Sequence, residues 1–154
     1  MQQTKIIFIC LGNICRSPMA EFLFKDMLEK SGYKAIISSK ATSDWEIGNP
    51  VYPPAKKLLE KLGIDCSRKR AEKLTKSDCD EADYLIVMDE SNLRDTRAIA
   101  GKANYEKVKM LLSFTSFPRA IADPWYTGDF NATYDDLMKG LNAFKDYLVK
   151  ENRI

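Results

Sequence analysis

Cys10, Arg16 and Ser17 fall within one short stretch, CLGNICRSP, over residues 10–18. A cysteine thiolate is a nucleophile, and the planar fork of arginine grips two oxygens of a phosphate at once. Between them a tight turn of successive backbone N–H groups makes an anion nest. Gly12 is expected to take backbone angles that a side chain would oppose. If the turn leads from a strand into a helix, the helix end adds partial positive charge. That field favours thiolate over thiol at Cys10. A thiolate aimed at a bound phosphate is a nucleophile for phosphoryl transfer. Ser17 can donate its hydroxyl to the thiolate, tuning its basicity and helping it leave. Asn13 can brace the loop through its side-chain amide.

Each of these residues has a plainer role when taken alone. Cys10 could be a buried strand-end thiol, Gly12-Asn13 an ordinary turn, and Ser17-Pro18 a helix start. Their conjunction in one turn carries the chemical reading. A phosphatase also needs an acid for the leaving oxygen. The chain contains no histidine. Ser-His-Asp and Cys-His couples, HExxH zinc sites and histidine phosphotransfer are therefore excluded, and acid–base work falls to Asp, Glu, Lys, Tyr or Cys. Asp123, followed by Pro124 in an aromatic-rich loop, is the best candidate. The proline restricts the backbone around it.

The elements that must position these groups follow from hydrophobic patterning. The 154 residues suit one domain with a real core; 45% are apolar and 30% charged, ordinary for a globular protein. A net charge of +2 gives no reason to expect a nucleic acid partner, and Arg68-Lys69-Arg70 reads as a surface turn. No signal peptide or membrane-length apolar run is visible, so a cytoplasmic protein with no membrane partner is expected. There thiols stay reduced. The spacings of Cys10, Cys15, Cys66 and Cys79 are not those of zinc modules, so neither metal nor cofactor is expected.

Lys5 to Cys10, apolar from Ile6 onward, reads as a strand buried on both faces. Ser17 is expected to cap a helix whose first residue is Pro18 and which ends near Gly32. A second strand is expected over Tyr33 to Ser39, and a helix over Pro54 to Leu62. Thr75 is placed to cap a short helix over Lys76 to Asp80. Tyr84 to Met88 and Val108 to Leu112 read as further strands, with a helix from Glu90 to Ala100 between them. A long loop then carries Asp123. A final helix from Asn131 to Lys150 shows one apolar face through Tyr134, Leu137, Met138, Leu141, Phe144 and Leu148. Alternating strands and helices predict an α/β domain over residues 1–154, with a central four-stranded parallel sheet and helices on both faces. Ligands bind beyond the carboxyl ends of such strands, where the phosphate-binding loop after the first strand and the Asp123 loop can meet.

These residues resemble the low-molecular-weight protein tyrosine phosphatases across essentially the whole chain. The resemblance rests on C-x5-R-S in CLGNICRSP, SDW at Ser43 to Trp45, MDESNLRD at Met88 to Asp95 and DPWYTGD at Asp123 to Asp129. It implies that Cys10 becomes a phosphocysteine and that Asp123 is first general acid, then the base that activates water. Arg16 and the amides of Leu11, Gly12, Asn13, Ile14, Cys15, Arg16 and Ser17 would bind phosphate. Asn13, Ser17 and Ser39 would support the loop, and Leu11, Trp45, Glu46, Trp125 and Tyr126 would line the cleft for a phenyl ring. Cys15 would be a redox partner for Cys10, forming a reversible disulfide under peroxide. The implied partner is a tyrosine-phosphorylated protein or peptide, with inorganic phosphate as product and a monomer as the working unit.

Family members often carry a histidine aligned with the region Arg68 to Glu72, where it helps brace the loop asparagine. This chain reads KRAE from Lys69 to Glu72, and Lys40 stands where many members have a small residue. A related branch dephosphorylates arginine and carries a threonine where this chain has Ile14, so Ile14 favours phosphotyrosine. A thiol-dependent arsenate reductase of the same fold needs a further cysteine pair; Cys79 lies in about the right region, but no cysteine follows it. A non-catalytic phosphotyrosine-binding module would need neither Cys10 nor Asp123.

Overall fold

The computed structural model describes residues 3–154. Its strands β1 (Lys5–Cys10), β2 (Ile36–Ala41), β3 (Tyr84–Val87) and β4 (Val108–Met110) form one sheet in the order β2-β1-β3-β4. Every pairing is parallel, with Cys10 opposite Ala41 and Ile9 opposite Val87. The chain steps from β1 outward to β2, then returns past β1 to place β3 on its other side. This reversal opens a crevice at the carboxyl ends of β1 and β3, the usual ligand site of such sheets.

Six α-helices accompany the sheet: α1 (Arg16–Ser31), α2 (Pro53–Lys61), α3 (Lys76–Glu81), α4 (Glu90–Ala100), α5 (Pro124–Thr127) and α6 (Phe130–Lys150). Alternation along β1 divides the core. Ile6, Phe8 and Cys10 face a cluster with Met19, Leu23 and Phe24 of α1, Leu59 of α2 and Phe144 of α6. Ile7 and Ile9 face a cluster with Cys79 of α3, Ala100 of α4 and Val108. Phe8 meets Phe24 edge-on at 5.7 Å, and Phe24 stacks on Phe144 at 5.4 Å. Burying β1 on both faces fixes its end, and so fixes Cys10.

The elements follow the patterning with instructive shifts. Helix α1 begins at Arg16, after Cys15, so Ser17 is not the cap and Pro18 is not the first helical residue. Pro18 is still tolerated, because N–H groups in a first helical turn lack intrahelical partners. Ser17 turns its hydroxyl toward Cys10 instead. Strand β2 starts at Ile36 rather than Tyr33, because the αL cap at Gly32 and the bond from Tyr33 N–H to Leu28 O still close α1. The fourth strand ends at Met110, where Leu111–Phe114 turn into a 3-10 helix. The predicted long loop contains the one-turn helix α5. Thr75 caps α3 as expected, in a capping box with Asp78.

Candidate active site

The loop after β1 wraps the start of α1. Its left-handed residue is Asn13 at φ 59°, not Gly12. Asparagine tolerates this region far better than most residues. A methyl group at Gly12 would meet only ordinary contact, 3.4 Å from Glu46 Cγ. Asn13 is held on three sides. Its Nδ2 donates to Ser17 Oγ at 2.7 Å and to Ser39 Oγ at 2.9 Å, while its Oδ1 accepts from Glu72 N–H at 3.1 Å. Among the described residues, none of the backbone N–H groups from Leu11 to Cys15 finds a protein acceptor. Buried amides are normally paired, so this set suits an anionic ligand.

Cys10 lies at the floor, 3% exposed. Its Sγ is 3.0 Å from Ser17 Oγ and receives the Ser17 N–H at 3.4 Å. Cys15, also buried, packs with Ile14 and Ala71. Burial, reinforced by the charge at Cys10, pushes its thiol well above the ordinary range. Cys15 therefore stays protonated while Cys10 faces the cleft.

Arg16 is 2% exposed and held by three acceptors. Its Nη1 donates to Asp89 Oδ2 at 2.7 Å and to the Ile121 carbonyl at 2.8 Å; its Nη2 lies 3.5 Å from Asp123 Oδ2. Burial opposes its charge, but Cys10, Asp89 and Asp123 outweigh that and hold the guanidinium more firmly protonated than usual. Asp123 caps α5, accepting from Trp125 N–H at 3.1 Å. Ahead of Pro124 it sits at φ −79°, ψ 115°, the extended backbone expected before a proline.

Cys10, Leu11, Gly12, Ile14, Cys15, Trp45, Glu46, Asp123, Trp125 and Tyr126 enclose a cleft of about 190 Å³. The sequence-predicted nucleophile, acid, loop and aromatic walls thus meet at the crevice beside β1. Trp125 rests on Tyr52 at 4.8 Å, and Tyr52 in turn stacks on Phe130 at 6.0 Å. Trp45 and Tyr126 stand exposed at the mouth. Glu46 accepts from Asn49 Nδ2 at 2.6 Å. Lys40 pairs with Glu72 at 2.7 Å, tying to β2 the segment whose backbone holds Asn13. Cys79 is completely buried against the far face of the sheet, away from the cleft.

Glu21, which accepts from Ser39 Oγ at 2.6 Å, was not singled out from sequence; Asp89 was named only within MDESNLRD, and Lys69, expected in a surface turn, has its side chain 9% exposed and donates to the Ser39 carbonyl at 2.9 Å. Asp89 had a signal: it follows β3 at the carboxyl edge and caps α4 through Asn92 N–H at 2.8 Å. Among the described residues no cluster of three His, Cys, Asp or Glu could hold a metal ion. No helix among them is long and apolar enough to cross a membrane.

A parallel α/β sheet with a thiol, an arginine and a carboxylic acid at its topological switch point has the architecture of a cysteine-dependent phosphatase. The comparisons with known proteins narrow that class. The family described as low molecular weight phosphotyrosine protein phosphatase matches residues 5–153, and the chain belongs to it. The low molecular weight protein-tyrosine-phosphatase YfkJ of Bacillus subtilis is 35% identical over 97% of this chain and 98% of its own. Its crystal structure covers 98% of both chains with a TM-score of 0.94. The low molecular weight protein-tyrosine-phosphatase PtpA of Staphylococcus aureus is 32% identical over 95% and 94% of the two chains. A structure of the arginine phosphatase YwlE, 28% identical, covers 96% of this chain and 97% of its own, with a TM-score of 0.85.

Proposed function

We propose that this enzyme hydrolyses phosphotyrosine in proteins or peptides through a phosphocysteine on Cys10, releasing inorganic phosphate. The observation that carries the reading is the convergence of Cys10, Arg16 and Asp123 on one aromatic-walled cleft. The N–H groups from Leu11 to Ser17 and the Arg16 guanidinium receive the phosphoryl oxygens. Nη1 stays on Asp89 and the Ile121 carbonyl, which leaves Nε–H and the second Nη2–H for the phosphoryl oxygens. The Cys10 thiolate attacks phosphorus, the P–O bond to the phenol breaks, and Asp123 gives its proton to the departing oxygen. Water then attacks the phosphocysteine; Asp123 takes the water's proton and the sulfur leaves with the bonding electron pair. Ser17 supports that departure from 3.0 Å. Asn13, Ser17 and Ser39 hold the loop.

Leu11, Trp45, Glu46, Trp125 and Tyr126 form the walls for the phenyl ring, where aromatic faces can stack. Ile14 puts an apolar side chain in the cleft lining, which supports phosphotyrosine over phosphoarginine. Cys15 serves as redox partner of Cys10. The enzyme works without metal or cofactor, as a monomeric single domain over residues 1–154 in the cytoplasm. The deciding experiment compares phosphotyrosine, phosphoarginine and phosphoserine substrates with the wild type and Cys10→Ser. Phosphotyrosine turnover is expected without added metal, and Cys10→Ser is expected to abolish it while still binding phosphate. Undiminished turnover by Cys10→Ser rejects the mechanism, and preference for phosphoarginine rejects the substrate.

A further inference from the structure

Strand β2 ends the sheet on one side, and its outer edge is covered over only part of its length. Peptide groups alternate in direction along a strand. Ile36 N–H donates to Thr4 O on the β1 side at 2.8 Å. Ala41 points the other way: its N–H donates to Glu72 O at 2.7 Å, and its carbonyl accepts from Leu74 N–H at 2.8 Å. Residues 72–74 thus lie on the outer edge, with Lys73 in a parallel bridge to Ala41. Ile37 and Ser39, in phase with Ala41, also face outward. Lys69 closes the edge at Ser39 by donating to its carbonyl at 2.9 Å. Ile37 N–H and C=O cannot reach β1, and nothing else takes them among the described residues.

Two grooves of about 400 Å³ and about 460 Å³ run along this edge and share Ile37 and Lys25. Leu28 and Ala35 give the first an apolar floor; Phe22 and Cys66 do so for the second. In each groove basic residues outnumber acidic ones. Lys25 and Lys69 pair with Glu21, and Lys40 pairs with Glu72. Lys34 in the first groove and Arg68 in the second are exposed, with no carboxylate at ion-pair distance among the described residues. Arg70 places Nη1 on the carbonyls of Ser67 and Lys69, which leaves its charge uncompensated.

Lysines beside an open strand edge ordinarily keep other strands away. They repel basic segments, and a neutral segment would bury part of their charge without a partner. An acidic segment meets neither obstacle. Its backbone can pair with Ile37 while alternate carboxylates reach Lys34 and Arg68, and the intervening apolar side chains cover the groove floors. We propose that the β2 edge docks an acidic, extended segment of a partner protein, which adds beside Ile37 as a further strand. The incoming backbone donates to Ile37 O and accepts from Ile37 N–H. Lys69 and residues 72–74 end the site, so the paired stretch is short and charge selects its occupant. The proposal does not depend on the reaction at Cys10.

The test uses the full chain and a dye-labelled, end-capped peptide of about nine residues alternating glutamate and valine, the length of a long strand. Fluorescence anisotropy is expected to show saturable binding. Lys34→Glu with Arg68→Glu should weaken it at least about tenfold, with little change in Tm because both positions are exposed. The same peptide N-methylated throughout keeps its charge but has no N–H for Ile37 O, and should also bind at least about tenfold more weakly. Hydrogen exchange at the Ile37 amide should slow when the parent peptide binds. Absence of binding by the glutamate–valine peptide overturns the proposal, as does wild-type affinity in the double variant. Equal binding of the N-methylated peptide, or of an oligodeoxynucleotide of equal charge, makes the edge a charged surface without strand addition and overturns it too.

Discussion

Arg16 and Asp89 are joined by a 2.7 Å hydrogen bond between Nη1 and Oδ2, linking the start of α1 to the start of α4 across the crevice. The other oxygen of Asp89 caps α4. These two duties can be separated. Asparagine caps about as well as aspartate, whereas alanine loses about 1 kcal/mol. Asp89→Asn is expected to melt near the wild type yet lose several-fold in kcat/KM, since a neutral amide holds Arg16 less firmly. Asp89→Ala should lose both. Unchanged kcat/KM in both variants would show that Arg16 needs no such anchor.

Asp123→Ala tests the acid. Asp123 is fixed by the α5 N-terminus and lies 3.5 Å from Arg16. Without it the departing phenol must leave unprotonated. Turnover should fall about 10²-fold or more for phenyl phosphate and far less for 4-nitrophenyl phosphate. An equal loss for both substrates would remove Asp123 from the acid role.

Cys15 bears on oxidation. Its thiol is held protonated by burial and by the charge at Cys10, so raising the pH through the ordinary thiol range does not make it a competing nucleophile. Peroxide should oxidise Cys10 to the sulfenic acid, and Cys15 should then condense with it, releasing water and closing a disulfide. Mass spectrometry is expected to find a Cys10–Cys15 bond that dithiothreitol reverses. In Cys15→Ser, Cys10 should proceed to irreversible acids. Equal recovery of the two proteins after peroxide would reject the partnership.

Gly140 offers a test of packing remote from the cleft. A methyl group there would lie 2.5 Å from Leu111 Cγ and 2.9 Å from its Cδ2. Helix α6 can approach the 3-10 turn after β4 only because that position is bare. Gly140→Ala should cost about 1–3 kcal/mol by overpacking, despite better helix propensity. Chemical denaturation measures the loss, and kcat per folded molecule should not change.

Much of this architecture was legible in the chain, for reasons that differ by element. Ile6 to Cys10 is uniformly apolar because β1 is covered on both faces, and α6 shows a helical stripe because only one face is buried. Cys10, Arg16 and Asp123 were visible because their chemistry is carried by residue type and local turn signals. Ser17 before Pro18 mimicked a cap, but the sulfur of Cys10 competes for that hydroxyl. Gly12 drew the left-handed assignment that Asn13 holds, since an asparagine with three partners stabilises a conformation glycine only permits. Glu21 and Lys69 were hidden because their pairing spans α1 and a distant turn. In the sequence each is one more surface-type charge.

Trp45 and Trp125 are the chain's two tryptophans, and both line the cleft, 73% and 51% exposed. The core contains none. Tryptophan emission, excited selectively over that of the seven tyrosines, is therefore an optical signal from the mouth of the cleft. Quenching or a blue shift on adding a ligand would report occupancy there without any label. A buffer change that alters only the interior would leave the spectrum still.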